Sequence, residues 1–460
     1  MTISNYFDSA MLNKYNTAGP RYTSYPTAVS FDCDYSETDF TGSIKNIAQS
    51  AESKSLSLYL HIPFCHSLCY YCGCNKIVTR NKDKIDTYLK YLKKEISHRS
   101  KQFKGFTVDA IHFGGGTPSF LEPEQLFHLM VFIEQQFKVD SACEKSIEID
   151  PRELPANYLN DLYIMGFTRI SIGVQDVNKD VQEKINRVQS TQFIKSIIKQ
   201  AKTLGFRSVN IDLIYGLPGQ SQTTLLDTLQ EVKHVDPDRI SLFSYAHMPQ
   251  LFAAQRKIKD EWLPKANEKF ALFQTAINEL VAQGYVYIGM DHFAKPNDKL
   301  SVAAENKTLA RNFQGYTTDQ ASTLLGLGVS SISNLGNSYA QNFKKLSDYY
   351  TAIDKASTAI EKGVILDTND IIHRALIHQL MCNFFVDKAQ FSEKHNIKFD
   401  EYFAKSLSQL DVYIDDNLVS NNSTDLTIHP RGRLLVRNIC MNFDQYIKQP
   451  MHQIRYSRVI

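Results

Sequence analysis

The sequence lacks the features that mark membrane, secreted and nucleic-acid-binding proteins. No apolar run approaches the roughly 20 residues that a membrane-spanning helix needs, and the N-terminal stretch MTISNYFDSAMLNKYN has no apolar core of signal-peptide length. The net charge is only +2, from 51 Lys and Arg against 49 Asp and Glu, so no strong electric field favours nucleic acid or an anionic membrane. We therefore expect a cytoplasmic protein with no membrane span and no nucleic-acid partner.

The chain also lacks internal repeats and low-complexity tracts, and its 460 residues suffice for a large catalytic domain and a smaller one. From residue 56, short β-branched or aromatic runs alternate with longer amphipathic segments, as in parallel sheets with helices outside. Strands are predicted at 56–61, 108–113, 146–150, 169–174, 208–214 and 239–245. Six such units predict an α/β fold with an incomplete (β/α)6 barrel; a complete eight-stranded barrel is the alternative.

Changes in composition along the chain predict four segments. We expect an N-terminal arm with short helical pieces at 1–55, the barrel at 56–300, a lid or connecting segment at 301–366 and a small, mainly helical, winged-helix-like domain at 367–460. The polar stretch 291–318 has few apolar residues and is predicted to be a long loop or lid.

Four of the eight cysteines, Cys65, Cys69, Cys72 and Cys74, lie within ten residues. Thiolates this close repel one another, and a disulfide, a zinc site or an iron–sulfur cluster is the usual outcome. Zinc usually takes four ligands, often from two separated Cys-x2-Cys arms, and no second arm lies nearby. Three cysteines can instead hold three irons of a [4Fe–4S] cube and leave the fourth iron open. The spacing favours a cluster but leaves zinc possible.

A glycine triplet follows the second predicted strand, in the stretch IHFGGGTP at 111–118. Glycines let a backbone approach a ligand closely and leave amides free to donate hydrogen bonds, although such a triplet is more often only a tight turn. Other predicted strands also end in polar residues, and functional groups of parallel barrels gather at that rim. Asp150, which precedes Pro151, is expected to cap a turn.

The cysteine loop, HIPFCHSLCYYCGCNKIVTR at 61–80, resembles that of radical S-adenosylmethionine (SAM) enzymes, and within them the oxygen-independent coproporphyrinogen III oxidases. The resemblance covers nearly the whole chain, including RYTSYPT at 21–27 and RNFQGYTT at 311–318. It implies a [4Fe–4S] cluster on Cys65, Cys69 and Cys72, and two SAM molecules. The SAM ligands it implies are Tyr59, Tyr71, Gly115, Gly116, Thr117, Glu148, Gln175, Arg187, Asp212, Ala246 and Ile332. The charged members of this set could instead form structural ion pairs.

The same resemblance implies a reaction: anaerobic oxidative decarboxylation of two propionates of coproporphyrinogen III to vinyl groups, which gives protoporphyrinogen IX. A substrate with four carboxylates needs cationic partners, and Arg21, Arg80 and Arg311 are candidates by their place in presumed rim segments. Cys74 is an extra thiol with a predicted role in turnover.

The related haem chaperones are the alternative within the superfamily. They lack the Cys-Gly-Cys-Asn ending of the loop, and their N-terminal extension is shorter or missing. This sequence has the Cys-Gly-Cys-Asn ending and the N-terminal extension, which favours the oxidases. The resemblance also implies a monomer, an electron-donor protein such as flavodoxin or ferredoxin, and an N-terminal arm that closes over the substrate.

Overall fold

The computed structural model describes residues 11, 14–49, 54–318, 323–447, 456 and 458. Parts of the predicted arm, lid and C-terminal domain therefore lie outside the described residues. Within them, no helix is both long and apolar enough to span a membrane.

A twelve-stranded sheet forms the centre of the fold. Its strands in chain order are β1 (Ser55–Ile62), β2 (Thr107–Gly115), β3 (Val139–Ile149), β4 (Arg169–Gln175), β5 (Ser208–Tyr215), β6 (Arg239–Ser244), β7 (Val286–Gly289), β8 (His292–Ala294), β9 (Thr323–Leu327), β10 (Ile332–Asn334), β11 (Ser338–Asn342) and β12 (Ile360–Ile365). Their spatial order is β12-β11-β10-β9-β1-β2-β3-β4-β5-β6-β8-β7.

The predicted incomplete (β/α)6 barrel is confirmed. Strands β1 to β6 are neighbours in sequence order and all pair in parallel. The sheet is not closed, because β12 and β7 lie at opposite ends of the pairing order of the described strands. Connections between parallel strands pass through helices, as a parallel sheet requires.

Sixteen α-helices surround or follow this sheet in the described residues. They are α1 (Glu37–Gln49), α2 (Lys82–Gln102), α3 (Pro123–Gln136), α4 (Tyr158–Ile164), α5 (Lys179–Lys184), α6 (Thr191–Leu204), α7 (Gln222–Val235), α8 (Ala266–Ala282), α9 (Lys299–Glu305), α10 (Leu346–Ala356), α11 (Thr368–Asn383), α12 (Lys388–His395), α13 (Phe399–Tyr402), α14 (Ala404–Ser408), α15 (Asp411–Asp415) and α16 (Val436–Met441). The apolar faces of α2, α3, α6 and α7 share one large buried cluster with the sheet.

The segment predicted as a lid or connection carries more structure than expected. Strand β9 is buried throughout and extends the parallel sheet beside β1, while β10, β11 and β12 add antiparallel strands beyond it. The stretch 291–318 is not a long loop either, since it holds β8, α9 and a hairpin of Ala310–Asn312 with Gly315–Thr317. The error arose because short strands that alternate with polar residues have the composition of loops.

The C-terminal region combines helices α11 to α16 with a small antiparallel sheet of Phe385–Asp387, Val419–Asn421 and Asp425–Ile428. The expected mainly helical C-terminal domain is confirmed, and its winged-helix-like character stays a prediction. Tyr15, Tyr22 and Tyr25 of the N-terminal arm are buried in the same apolar cluster as α11 and α16. Arg437 of α16 donates to the carbonyl oxygens of Gly19 and Pro20. The arm is thus anchored on the C-terminal region, and it holds the 13-residue helix α1, longer than predicted.

Candidate active site

The cysteine loop begins where β1 ends. Cys65 lies on a short strand, Phe64–Cys65, that pairs in parallel with Ile77–Val78. The amide of Ile77 also donates to the Pro63 carbonyl at 2.7 Å, and that of Thr79 to the Cys65 carbonyl at 3.1 Å. Both ends of the loop are therefore held together at its base. All eight cysteines of the chain are free thiols, and Cys65 and Cys69 are buried while Cys72 is half-buried.

Donors surround the sulfur atoms of the loop. The Thr117 hydroxyl donates to Cys65 Sγ at 3.3 Å, and Arg152 and Arg187 donate to Cys69 Sγ at 3.4 and 3.5 Å. Burial raises the pKa of Cys65 to about 11, and the neighbouring Cys72 and Cys69 contribute to the rise. A hydrogen bond from Cys74 lowers the pKa of Cys72 to about 6. The Thr117 hydrogen bond opposes the rise in the pKa of Cys65 but does not outweigh burial. Such a donor favours the thiolate form that binds metal.

The glycine triplet passes directly beside the cysteine loop. A Cβ at Gly116 would lie 2.6 Å from the Pro63 carbonyl oxygen, so no side chain fits there. Gly115 has φ of +120°, a conformation that side chains disfavour, and its amide donates to Glu148 Oε2 at 3.3 Å. The close approach of backbone that the triplet predicted is therefore present.

A cavity of about 430 Å³ is lined by the barrel strands, the cysteine loop and the glycine triplet. Alternate residues of successive strands face it, as the two-residue period of a strand requires, for example Asn210, Asp212 and Ile214 of β5. Ten predicted site residues line it: Tyr71, Cys72, Cys74, Gly115, Gly116, Thr117, Glu148, Gln175, Arg187 and Asp212. The fold thus brings most of the predicted site together.

Arg187 and Asp150 are bound to each other on the wall of the cavity. Arg187 donates to Asp150 Oδ2 at 3.1 Å and to the Gly173 carbonyl at 2.6 Å. Burial alone would raise the pKa of Asp150, but Arg187 and Arg152 outweigh it and lower the pKa to about 2. Asp150 does cap a turn, at Arg152 N, as expected, yet it also faces the cavity, which we did not predict.

Asp212 differs from Asp150 in that it has no cationic partner within the described part of the chain. It accepts hydrogen bonds from Ser171 at 3.0 Å and Asn210 at 2.9 Å. Burial raises its pKa to about 7, with a further contribution from Glu148. A carboxyl group held this way by neutral donors is suited to hydrogen-bond a hydroxyl group of a ligand.

Several predicted site residues do not line the cavity. Tyr59 lies behind its wall, where its ring stacks on His112 at 5.9 Å and its hydroxyl bonds to His61. The carbonyl of Ala246 accepts from Gln255, and Ile332 packs in a separate apolar cluster with Phe31 and Tyr339. Their role as SAM ligands stays a prediction, and Tyr59 lies next to Glu148 at Gly114.

The three arginines proposed for the substrate have different surroundings. Arg80 is exposed on the loop that precedes α2. Arg21 pairs with Asp291 at 3.4 Å. Arg311 is buried beside Tyr316, whose ring lines the cavity.

The cavity also contains residues that the sequence analysis missed. These are chiefly His112, Arg169, Asn210, Arg239, Ser241, Phe243, His292, Gln314 and Tyr316. The sequence could have indicated four of them: Arg169, Asn210, Arg239 and Ser241 lie two residues from other cavity-facing positions on β4, β5 and β6. It could not have indicated His292, Gln314 and Tyr316, because the stretch 291–318 was predicted to be a loop.

The residues present fit a [4Fe–4S] cluster and SAM. Among the described residues, no three His, Cys, Asp or Glu side chains converge to share one metal ion, and a cube does not need this because its thiolates bind different irons. SAM carries an ammonium, a carboxylate, a sulfonium and an adenosine. The cavity offers the carboxylates of Glu148 and Asp212, the Tyr71 ring, and Arg187, whose buried Nε has no partner among the described residues.

Comparisons with known proteins agree with this site. Residues 59–232 match the model of the radical SAM superfamily, and residues 366–435 match that of the HemN C-terminal domain. The oxygen-independent coproporphyrinogen III oxidase of Escherichia coli strain K12 is 47% identical over 99% of this chain and 98% of its own length. Its counterpart from Pseudomonas aeruginosa is 42% identical over 99% of both chains.

A solved structure agrees as well. It is that of coproporphyrinogen III oxidase (HemN) from Escherichia coli, a radical SAM enzyme. It superposes on this chain with a TM-score of 0.91 at 45% identity, over 96% of this chain and 100% of that one. The chain therefore belongs to the oxygen-independent coproporphyrinogen III oxidase family of radical SAM enzymes.

Proposed function

We propose that this enzyme converts two propionates of coproporphyrinogen III into vinyl groups without oxygen, giving protoporphyrinogen IX. The observation that carries the proposal is the cavity itself, in which the cysteine loop, the glycine triplet and the carboxylates of Glu148 and Asp212 share one wall. The relatives reported above are oxidases, and no feature of the site favours the haem-chaperone alternative.

Cys65, Cys69 and Cys72 would hold the cluster, which with SAM would supply one-electron chemistry and an acceptor for a hydrogen atom. Each reacting propionate would lose one hydrogen atom from its β-carbon, carbon dioxide and one electron, and would become a vinyl group. The balance requires an external electron source and an external electron acceptor.

The side chains of this enzyme hold and shield the reacting groups. Arg187 is held by hydrogen bonds to Asp150 and Gly173, and this fixed guanidinium supports its role as the partner of the SAM carboxylate. Asp212 accepts hydrogen bonds from the ribose hydroxyls of SAM. Glu148 binds its ammonium group, and Tyr71 packs against its adenine ring. The barrel wall around them limits access of water, which protects a radical from quenching.

Further parts of the proposal concern partners. Two SAM molecules bind, a flavodoxin or ferredoxin donates the electron, and the enzyme works as a monomer in the cytoplasm, where free thiols stay reduced. Arg21 and Arg311 bind substrate carboxylates, and the N-terminal arm covers the substrate. The anchoring of the arm on the C-terminal region supports this last point.

The test is an anaerobic assay of the reconstituted enzyme with SAM, a reductant and coproporphyrinogen III. We expect two carbon dioxide molecules and two methionines for each protoporphyrinogen IX formed. A matched reaction without SAM should give no vinyl product. Stable binding of haem without any vinyl product in the complete reaction would refute the proposal and indicate a chaperone.

A further inference from the structure

Asp176 is a buried carboxylate next to a residue of the cavity wall. It follows Gln175, the last residue of β4, and it is 0% exposed. Its Oδ1 accepts from the Asn178 amide at 2.7 Å and from the Thr228 hydroxyl at 3.2 Å, and its Oδ2 accepts from the Gln220 side chain at 2.7 Å. Within the described part of the chain it has no cationic partner, so hydrogen bonds alone offset the cost of burying this group.

The bonds of Asp176 hold a strained turn at Gln175. The Asp176 amide donates to the Val174 carbonyl two residues earlier, at 2.9 Å, which makes Gln175 the central residue of a γ-turn. Gln175 has φ of +66°, the sign that belongs to the rare and strained form of this turn. Strain of this kind persists only where the surroundings impose it, and it concentrates at functional sites. Gln175 indeed lines the cavity.

The same network ties this turn to the end of β5. The Gln220 side-chain amide that binds Asp176 also donates to the Ile214 carbonyl at 3.0 Å. Its oxygen accepts from the Gly216 amide at 2.6 Å and from the Leu217 amide at 3.3 Å. Because both ends of the Gln220 amide are engaged, its side chain cannot flip to suit another partner without losing these bonds. The ends of β4 and β5 are therefore fixed to each other through Asp176.

A second branch of the network reaches Arg187. Gln182 of α5 donates to the Asp176 carbonyl at 2.8 Å, and the Gln182 carbonyl accepts from the Arg187 amide at 2.8 Å. The side chains of Arg187 and Gln175 meet over Gly173, where a Cβ would lie 2.8 Å from Arg187 Nη2 and 2.9 Å from Gln175 Nε2. Asp176 is thus linked to both of these cavity residues, to Gln175 by the chain and to Arg187 through Gln182.

We propose that Asp176 is a positioning residue for SAM, which holds Gln175 and Arg187 in the orientation that binds it. This inference rests on the proposed function, in which Arg187 binds the SAM carboxylate, and it extends that site to a residue behind the cavity wall. The position requires an acceptor on both sides, because donors face both oxygens of Asp176. An asparagine has nearly the same shape but would turn a donor against the Asn178 amide or the Gln220 amide.

The test measures SAM binding in two ways and needs no turnover. Equilibrium dialysis gives the affinity, and electron paramagnetic resonance of the reduced cluster gives the SAM concentration at which the signal changes. Both use the full-length, anaerobically reconstituted enzyme. We expect Asp176→Asn to weaken SAM binding by roughly 10-fold, the size of one lost charge-assisted hydrogen bond. Its iron and sulfide content should equal that of wild type.

A paired variant reverses the donor and the acceptor. Asp176→Asn combined with Gln220→Glu places the new amide opposite a carboxylate, whose other oxygen can still accept from the Gly216 amide. The bond to the Ile214 carbonyl is lost, so we expect recovery to within about 3-fold of wild-type affinity. Gln220→Glu alone should weaken SAM binding, because two buried carboxylates would then face each other. A residue that serves stability alone would not show this pattern in SAM affinity.

Asp370→Asn is the matched control. Asp370 is a buried carboxylate of α11 that accepts from the Tyr446 hydroxyl and the Asp367 amide, in the C-terminal region. Thermal unfolding is followed for every variant. Asp370→Asn should leave SAM affinity unchanged, even where it lowers stability as much as Asp176→Asn does.

Thr228→Val carries the test if Asp176→Asn does not fold. It removes one donor to Asp176 and keeps the charge and the shape of the site, so it should weaken SAM binding by about 3-fold. Unchanged SAM affinity in Asp176→Asn, or no recovery in the paired variant, would overturn the proposal. If wild-type enzyme binds SAM but forms no vinyl product, the proposed function fails, and the same titrations still decide the role of Asp176.

Discussion

At the scale of single residues, the donors on Cys69 stand out. Arg152 and Arg187 both reach its sulfur, and both also bind Asp150. Two positive charges beside one thiolate and one carboxylate leave this part of the site close to neutral, which lowers the cost of burying it. Asp150 therefore positions the arginines that face the cysteine loop and the proposed SAM carboxylate.

Cys74 gives a prediction at the same scale. It lines the cavity and hydrogen-bonds to Cys72, yet three other cysteines suffice for the proposed cluster. We expect Cys74→Ser to retain its cluster, judged by iron and sulfide content, and to lose porphyrinogen turnover. Cys33→Ser, which alters an exposed thiol on the arm, is the control and should retain both. Full turnover by Cys74→Ser would remove this thiol from the mechanism.

At the scale of elements, the critical contact is the one between the end of β2 and the start of the cysteine loop. Gly116→Ala would place a methyl group 2.6 Å from the Pro63 carbonyl oxygen, so one of the two segments must shift. We expect a loss of about 1–3 kcal/mol in the free energy of unfolding, measured by denaturant titration, together with weaker SAM binding in equilibrium dialysis.

Gly42→Ala is the matched control for this prediction. Gly42 lies in α1, and a Cβ there meets nothing within 4 Å. Because alanine favours a helix more than glycine does, this variant should gain up to about 1 kcal/mol. If Gly116→Ala unfolded and bound SAM like wild type, the close approach of the two loops would not matter.

The elements also show what the sequence could predict. The six parallel strands alternate with helices, and their apolar runs predicted them correctly. Each lies within the sheet as expected, although β3 begins well before the predicted residue 146. Strands β8 to β12 and the hairpin are short, and β9 joins the sheet by pairing with β1, far away in the chain. Pairing such as that of β9 with β1 is a tertiary effect that local composition does not encode.

The same limit applies to the site. Motifs and their resemblance to a family predict many of the residues that line the cavity. These are the residues of the cysteine loop and glycine triplet, together with Glu148, Gln175, Arg187 and Asp212. Residues such as His292 and Tyr316 are not predicted in this way, because they come from short strands of the stretch 291–318, whose composition predicts a loop.

At the scale of the whole molecule, three regions of the chain contribute to the proposed active site and its surroundings. The barrel holds the proposed cofactors, the arm packs on the C-terminal region, and that region fixes the hairpin beside the cavity.

The most direct measurement for the central claim is electron paramagnetic resonance of the reduced, anaerobically reconstituted enzyme, before and after addition of SAM. The account predicts a [4Fe–4S] signal that changes when SAM binds, is kept in Cys74→Ser, and is lost in Cys65→Ser, Cys69→Ser and Cys72→Ser. A colourless zinc protein, or a cluster signal that ignores SAM or survives loss of any of those three thiols, would contradict it.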